Sequence, residues 1–225
     1  SWNVGFDLSA YQSRLNAEFD FFHKKTSDII MTRTIPTHVG GLSGPKSNVG
    51  SVANKGFELS ASWRDQKNDF DYGVNASVSF VRNEVLALND DEIISGNLIT
   101  KEGYPIRSYH LYQADGYYQS EEEIEQASVV YGTKSALRPG YLKYKNVEED
   151  DVIDDKDKVI VGNTIPEWTY SFGLHFGYKG IFLDANFQGV GKVYVYPTAN
   201  LAVPFNNGAG VTKDWATESW TEENR

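Results

Sequence analysis

The chain has 225 residues and no cysteine, which excludes disulfide bonds, thiolate metal ligands and a cysteine nucleophile. Its formal net charge of −10 argues against a nucleic-acid partner, because nucleic-acid binding depends on neutralising phosphates. No segment approaches the roughly 18 apolar residues of a transmembrane helix. A mean hydropathy of −0.47 still permits a membrane protein, because the strands of a membrane barrel are only half apolar.

Alternation of apolar with polar or small residues predicts six strands, since successive strand side chains point to opposite faces of a sheet. The fifth strand, EWTYSFGLHFGY, alternates most clearly: its aromatic and apolar residues share one parity, from Trp168 to Tyr178. It has about the length of a tilted membrane-crossing strand. We interpret Trp168, Tyr170 and Tyr178 as residues of an aromatic girdle at the membrane interface. The predicted strands cover residues 4–10, 15–21, 57–64, 70–80, 167–178 and 183–188.

The connections between these strands alternate between short and long. Short turns are predicted at residues 11–13, 65–69 and 179–180, and long loops at about 26–56, 84–166 and 191–225. Outer-membrane barrels have short periplasmic turns and long extracellular loops, whereas a soluble sandwich spaces its turns more regularly. We therefore predict an all-β fold: a segment of an antiparallel transmembrane β-barrel with long extracellular loops, in which residues 1–225 belong to one barrel domain.

Six strands are too few to close a known transmembrane barrel, whose minimum is about eight, so further strands must complete it. Within such a barrel, the polar parity would face a wet lumen and the apolar parity would face lipid. The lumen parity supplies the candidate substrate-binding residues. These are Glu18, Asp20, Asp71, Asn75, Asp184, Asn186 and Gln188. His175 shares this parity and is interpreted as a pore-lining group.

Five ordered segments carry a resemblance that covers essentially the whole chain. They are RLNAEFDFFHKKTSDII, NVGSVANKGFELSASW, EGYPIRSYHLYQADGYYQSEEEI, PGYLKYKNVEEDDVIDDKDKVIVGNTIPEW and DWATESWTEENR. Together they resemble the SusC/RagA-type TonB-dependent transporters of Bacteroidetes outer membranes, in a C-terminal section of the barrel. The fourth segment is the most specific match.

The resemblance implies a nutrient importer in the outer membrane of a Gram-negative bacterium, taking up oligosaccharides or peptides. It implies a roughly 22-stranded plugged barrel surrounded by membrane lipid. A SusD-like surface lipoprotein would be its partner, and the TonB system would supply energy. The plug domain is N-terminal in this family and is expected outside this chain.

An acidic segment, residues 146–157, also resembles an EF-hand calcium loop, in which oxygen ligands recur at fixed positions. The corresponding residues here are Asn146, Glu148, Asp150, the Val152 carbonyl, Asp154 and Asp157. The sixth position holds Asp151 where a sharp turn favours glycine, and Asp tolerates the left-handed conformation better than most residues. The segment is therefore interpreted either as a weak calcium site or as a solvated acidic loop.

Residues 119–128 are predicted to form a short helix that begins at an N-cap, Ser120, with Glu123 completing a capping box. The aromatic residues of the long loops could stack on a sugar, pack beneath the partner lipoprotein, or order their own loops. They are Tyr109, Tyr112, Tyr117, Tyr118, Trp215 and Trp220.

Two other functions compete with the importer. The first is a secreted or cell-surface β-sandwich binding module with a calcium loop, in which the apolar parity of the fifth strand would be buried in the domain's own core. The second is an enzyme. The sequence contains no paired acid arrangement, phosphate loop or nucleophile motif, so catalysis is not expected.

Overall fold

The computed structural model describes residues 1–32, 44–48, 50–88 and 92–224. Residues 33–43 and 49 of the predicted 26–56 loop lie outside these residues. The strands are β1 (Trp2–Ala10), β2 (Leu15–Thr26), β3 (Ile30–Thr32), β4 (Lys46–Asn48), β5 (Gly50–Lys67), β6 (Phe70–Leu88), β7 (Glu92–Ser95), β8 (Leu98–Lys101), β9 (Ser108–Tyr112), β10 (Ala114–Tyr117), β11 (Leu142–Tyr144), β12 (Lys158–Gly162), β13 (Trp168–Tyr178) and β14 (Ile181–Gly191). The helices are α1 (Glu121–Gln126) and α2 (Lys213–Thr217), with single 3₁₀ turns at Lys134–Ala136, Asp155–Asp157, Ala199–Leu201 and Asn206–Gly208.

The main sheet has six antiparallel strands in the order β1-β2-β5-β6-β13-β14. These are the six strands predicted from the alternation. Smaller sheets pair β3 with β4 and β10 with β11, and a four-stranded sheet has the order β12-β9-β8-β7. The short strands β7–β12 fall in a stretch that shows no clear alternation, because three to five residues are too few for a period of two to stand out.

Strands β5 and β6 are longer than predicted, at 18 and 19 residues. Their additional pairing joins residues 50–56 to residues 81–88, with one register shift between Ser51 and Val52. Charged side chains interrupt the apolar parity in this part, where Lys55 Nζ lies 3.7 Å from Glu84 Oε2. Backbone pairing continues through a stretch that residue alternation does not reveal.

The register gives the main sheet one apolar and one polar face. One row of directly paired residues on the apolar face crosses all six strands: Leu8, Ala17, Ala61, Ala76, Phe172 and Phe187. The next row along the strands lies on the polar face and consists of Asp7, Glu18, Ser60, Ser77, Ser171 and Gln188. A register slip of one residue between any two strands would place apolar residues in the polar row. The alternation of residues and the strand register therefore agree across the sheet.

The residues that the structure describes leave the apolar face largely exposed. Phe172, Leu174 and Phe176 are 44%, 42% and 46% exposed, and Ile181 is 78% exposed. A contiguous exposed apolar surface of this kind marks contact with a membrane or another protein. The β-sandwich alternative required this parity to be buried in the domain's own core, and on that point it is wrong.

The chain divides into two compact units, Ser1–Tyr109 with Val161–Tyr194, and His110–Ile160 with Val195–Arg225. In the first unit, the buried side chains include Val52, Val85, Ile99 and Ser108, at the long-connection end of the main sheet. In the second unit, they include Tyr118, Ile124, Ile153 and Asp157. Neither helix in the described part of the chain is long and apolar enough to cross a membrane.

Candidate functional site

The polar face of the main sheet brings all seven candidate substrate-binding residues to one surface. Asn75 and Asn186 flank Gly173 in one row, where an added Cβ would lie 2.4 Å from the Asn75 amide. Gly173 therefore lets the two amides approach each other across β13. Gln188 lies opposite Ser171 on β13. The other four candidates fall into two differently charged groups, one toward each edge of the sheet.

A network of charged side chains crosses β5, β6, β13 and β14 near their short turns. Arg64 donates two hydrogen bonds to Asp71, from Nε to Oδ1 at 3.2 Å and from Nη2 to Oδ2 at 2.7 Å. The His175 ring lies between two carboxylates, with Nδ1 2.6 Å from Asp184 Oδ1 and Nε2 3.3 Å from Asp71 Oδ2. A doubly protonated imidazole satisfies both contacts. Two of the predicted lumen acids are thus already paired, and Arg64 is the member that the candidate set missed.

The second group is acidic. Glu18, Asp20 and Glu58 line a groove of about 250 Å³ together with Ser60 and Ser77. Asp20 lies directly opposite Glu58, and Glu18 lies directly opposite Asp7. The described residues provide this group with no ion pair, and its one side-chain contact joins Ser60 Oγ to Glu18 Oε2 at 3.5 Å. This part of the polar face can accept hydrogen bonds from hydroxyl or ammonium groups.

In the second unit, the acidic segment 146–157 is organised around Asp157. This side chain is only 1% exposed. Its Oδ1 accepts hydrogen bonds from the backbone N–H of Val147 at 2.7 Å and of Glu148 at 3.3 Å, and its Oδ2 accepts one from Asp154 at 2.8 Å. These backbone donors, that of Asp154 above all, hold the pKa of Asp157 below its usual range.

The other proposed calcium ligands also bond within the loop. Asp150 Oδ1 accepts from Val152 N at 3.0 Å, and Asp154 Oδ1 accepts from Lys156 N at 2.8 Å. Asn146 Nδ2 donates to the Asp150 carbonyl at 2.5 Å. Within this segment, Glu149 and not Asp151 has the left-handed backbone conformation. Within the described residues, no three His, Asp or Glu side chains are placed to hold a metal ion. Calcium binding stays a prediction, which calorimetric titration of the full-length protein with CaCl₂ would test.

The predicted short helix is present as α1 and is shorter than the predicted 119–128. Ser120 is its N-cap, and the Ser120 hydroxyl accepts the Glu123 N–H at 3.2 Å. Glu123 Oε2 accepts from Gln119 N at 2.6 Å, one residue before the expected partner, and Glu123 Oε1 lies 2.7 Å from Lys143 Nζ. The Lys143 ammonium, and then the Gln119 N–H, hold the pKa of Glu123 below its usual range.

Ser120→Ala is expected to destabilise α1 by about 1 kcal/mol, because the Glu123 N–H loses its acceptor. Hydrogen exchange of residues 121–127 in the full-length protein measures the change, and Ser128→Ala serves as the control. Unchanged exchange in Ser120→Ala would contradict the capping role.

Because the folded-state pKa of Glu123 is depressed, the stabilisation by its carboxylate is present above the unfolded pKa of about 4.3 and is lost as the pH falls through the folded pKa.

Several loop aromatics order their own unit. Tyr112, Tyr131 and Tyr144 form a cluster with ring centroids 5.1 to 5.5 Å apart. Burial and the neighbouring Asp155 carboxylate, which accepts from the Tyr112 hydroxyl at 3.2 Å, raise the pKa of Tyr112 to about 12. Trp220 Nε1 donates to Gln119 Oε1 at 3.1 Å. Tyr117 and Trp215 keep 47% and 41% of their surface exposed, and these two remain available to a ligand or partner.

One antiparallel sheet with an exposed apolar face, a polar face and short turns at one end defines a piece of the wall of a membrane β-barrel. The chain belongs to the TonB dependent receptor-like, beta-barrel family, whose family model matches residues 1–221. The family and the fold class predicted from the sequence are thereby confirmed.

Curated relatives match the chain over a small part of their own length. TonB-dependent receptor P26 of Formosa agariphila is 28% identical over 100% of this chain, which spans 23% of that protein. TonB-dependent receptor SusC of Bacteroides thetaiotaomicron is 26% identical over 50% of this chain and 13% of its own length. The chain therefore corresponds to less than a quarter of these relatives.

Solved structures agree on the fold. The structure of the RagAB peptide transporter matches with a TM-score of 0.65 at 24% identity, covering 83% of this chain and 20% of that one. The RagAB peptide importer in its open-open state matches with a TM-score of 0.62 at 23% identity, covering 85% and 20%.

Proposed function

We propose that this chain is part of the barrel wall of a TonB-dependent importer in the outer membrane of a Gram-negative bacterium. The observation that carries the proposal is the two-faced sheet, in which the register keeps apolar and polar rows apart across six strands. The apolar face contacts lipid, and the polar face lines the route of an oligosaccharide or peptide. Further strands of the same protein close a barrel of roughly 22 strands around a plug.

Membership of the TonB dependent receptor-like family supports the proposed energy source, and the resemblance to SusC/RagA-type transporters supports the proposed partner. The TonB system supplies energy through parts of the protein outside this chain, and a SusD-like lipoprotein captures the nutrient at the cell surface. Exposed apolar side chains in the second unit support a protein partner, since Val195, Leu201 and Phe205 are 78%, 78% and 68% exposed. The long connections are extracellular in this proposal.

The first test is isolation of the intact protein from outer membranes, identified by peptides from this chain. The proposal predicts a detergent-extracted species several times larger than 25.2 kDa, together with a co-purifying lipoprotein. Uptake of labelled oligosaccharides or peptides should require both the gene and an energised inner membrane. A soluble species near 25.2 kDa would contradict the proposal.

A further inference from the structure

A cavity of about 310 Å³ lies on the polar face at the long-connection end of the main sheet. Asn54 and Asn83 form its floor on β5 and β6, and two loop segments, residues 105–106 and 163–167, form its walls. Asn83 Nδ2 donates to Asn54 Oδ1 at 2.8 Å, and Asn83 Oδ1 accepts from Ile106 N at 2.8 Å. The amide pair therefore holds the first wall in place.

The second wall is held independently. Val81 N on β6 donates to the Glu167 carbonyl at 2.9 Å. The Glu167 carboxylate accepts from Asn163 Nδ2 at 2.9 Å and from Lys192 Nζ at 3.2 Å, and its side chain is 14% exposed. Residues 163–167 belong to the most specific of the five family-like segments. Strand-to-loop hydrogen bonds thus build the cavity on both sides.

The charge of the cavity differs from that of the acidic groove on the same face. Among the described residues that line it, Glu167 is the only charged one, and Lys192 already neutralises its carboxylate. A cationic ligand group would gain little here, because no uncompensated charge faces the cavity. The cavity is matched to a neutral group.

The cavity lining combines aliphatic and polar residues. The aliphatic ones are Val81, Pro105, Ile106, Ile165 and Pro166, and the described lining includes no aromatic ring on which a sugar could stack. Burial of an aliphatic side chain against such walls is favourable in proportion to the apolar area removed from water. A few polar groups then fix the orientation of the ligand. Asn54 Nδ2 has no hydrogen-bond acceptor among the described residues and is free to donate to a ligand carbonyl.

A peptide combines these two features, since each aliphatic side chain lies beside backbone carbonyls. We propose that this cavity binds an aliphatic side chain of a peptide substrate, with Asn54 donating to the peptide backbone. The inference rests on the proposed import function and narrows its substrate class to peptides with a leucine, isoleucine or valine residue. Ile165, at the mouth, is 64% exposed, so it can be replaced without disturbing a packed core.

The test uses the full-length protein, purified in detergent with any lipoprotein that accompanies it. A random pentapeptide library is incubated with the protein, and the bound peptides are sequenced by mass spectrometry. The wild type should enrich Leu, Ile or Val over Ser at one position by about tenfold, as expected for burial of one such side chain. Ile165→Trp, which fills the mouth, and Ile165→Asp, which charges it, should both abolish the enrichment. Ile94→Trp, at a 46% exposed position on β7 outside the cavity, should retain it.

Thermal unfolding midpoints of the three variants are compared with that of the wild type. Similar midpoints show that a loss of enrichment is not caused by unfolding of the variant. Three outcomes would each overturn the inference. The wild type could bind peptides without aliphatic enrichment, Ile165→Trp could enrich aliphatic residues as strongly as the wild type, or the protein could bind oligosaccharides alone. In those cases, energised uptake by the wild type would still support the proposed import function. Loss of the energised uptake itself would instead show that the importer proposal has failed.

Discussion

Leu174→Arg is expected to destabilise the folded full-length protein by about 2–4 kcal/mol, the cost of an arginine at the lipid-facing midplane of a barrel. Leu174 lies near the centre of β13 on the apolar face, directly opposite Val74 on β6 and Ala185 on β14. It is 42% exposed, and no element among residues 1–32, 44–48, 50–88 and 92–224 covers it. In a bilayer, the guanidinium would have to leave water for hydrocarbon, which accounts for the penalty.

Gln188→Arg is the matched control, because Gln188 is an exposed polar-face residue on the adjacent strand, opposite Ser171. A charge added there stays in water and should change stability by no more than about 0.5 kcal/mol. Denaturant titration of the full-length protein in lipid nanodiscs, followed by tryptophan fluorescence, measures both variants. Equal effects of the two substitutions would show that the faces are not in different solvents.

Asp157→Ala is expected to disorder the acidic segment, because it leaves three backbone N–H groups of residues 147, 148 and 154 without their acceptor. Hydrogen exchange at these amides in the full-length protein should accelerate by at least about tenfold, because each amide loses the hydrogen bond that protects it. Asp157→Asn preserves the shape and one carbonyl oxygen, so its effect should be intermediate.

The control for this experiment is Asp151→Ala, at an exposed position that makes no hydrogen bond among the described residues. The pH dependence follows from the depressed pKa of Asp157. Stabilisation by the carboxylate is present above the unfolded pKa of about 3.9 and is lost as the pH falls through the lower folded pKa. Protection of these amides should therefore fall in acid in the wild type and not in Asp157→Ala. Wild-type exchange rates in Asp157→Ala would contradict this role.

Alternation was sufficient to identify the six strands of the main sheet and the three hairpin pairs among them. A period of two over six or more residues, as in β13, identifies both the strand and its two faces, and a short turn between two such strands makes them neighbours. The same alternation identified the seven candidate residues of the polar face without any information on contacts. The pairing of β6 with β13 across 79 intervening residues required the structure, because no local signal specifies a partner so far away in sequence.

Contacts that depend on register were also beyond the sequence. His175 lies between Asp71 and Asp184 only because β13 pairs with both β6 and β14, and an isolated histidine in a strand reveals neither neighbour. In the acidic segment, carboxylate spacing predicts oxygen ligands for a cation, which stays a prediction, and in the structure Asp157 and Asp154 accept backbone N–H groups. Residue spacing cannot tell these two uses of a carboxylate apart, because both need only an oxygen at a given position.

The most direct test of the account is to measure which solvent, lipid or water, contacts each face of β13 in the native outer membrane. Single cysteines that carry a nitroxide label are placed along residues 169–177 of a full-length protein in which any other cysteine has been replaced; this chain itself contributes none. We expect collisions with oxygen to peak at Phe172 and Leu174, and collisions with a water-soluble nickel chelate to peak at Thr169 and Ser171, with a period of two residues. Shielding of the apolar positions from both reagents, as in a protein core, would contradict the membrane wall.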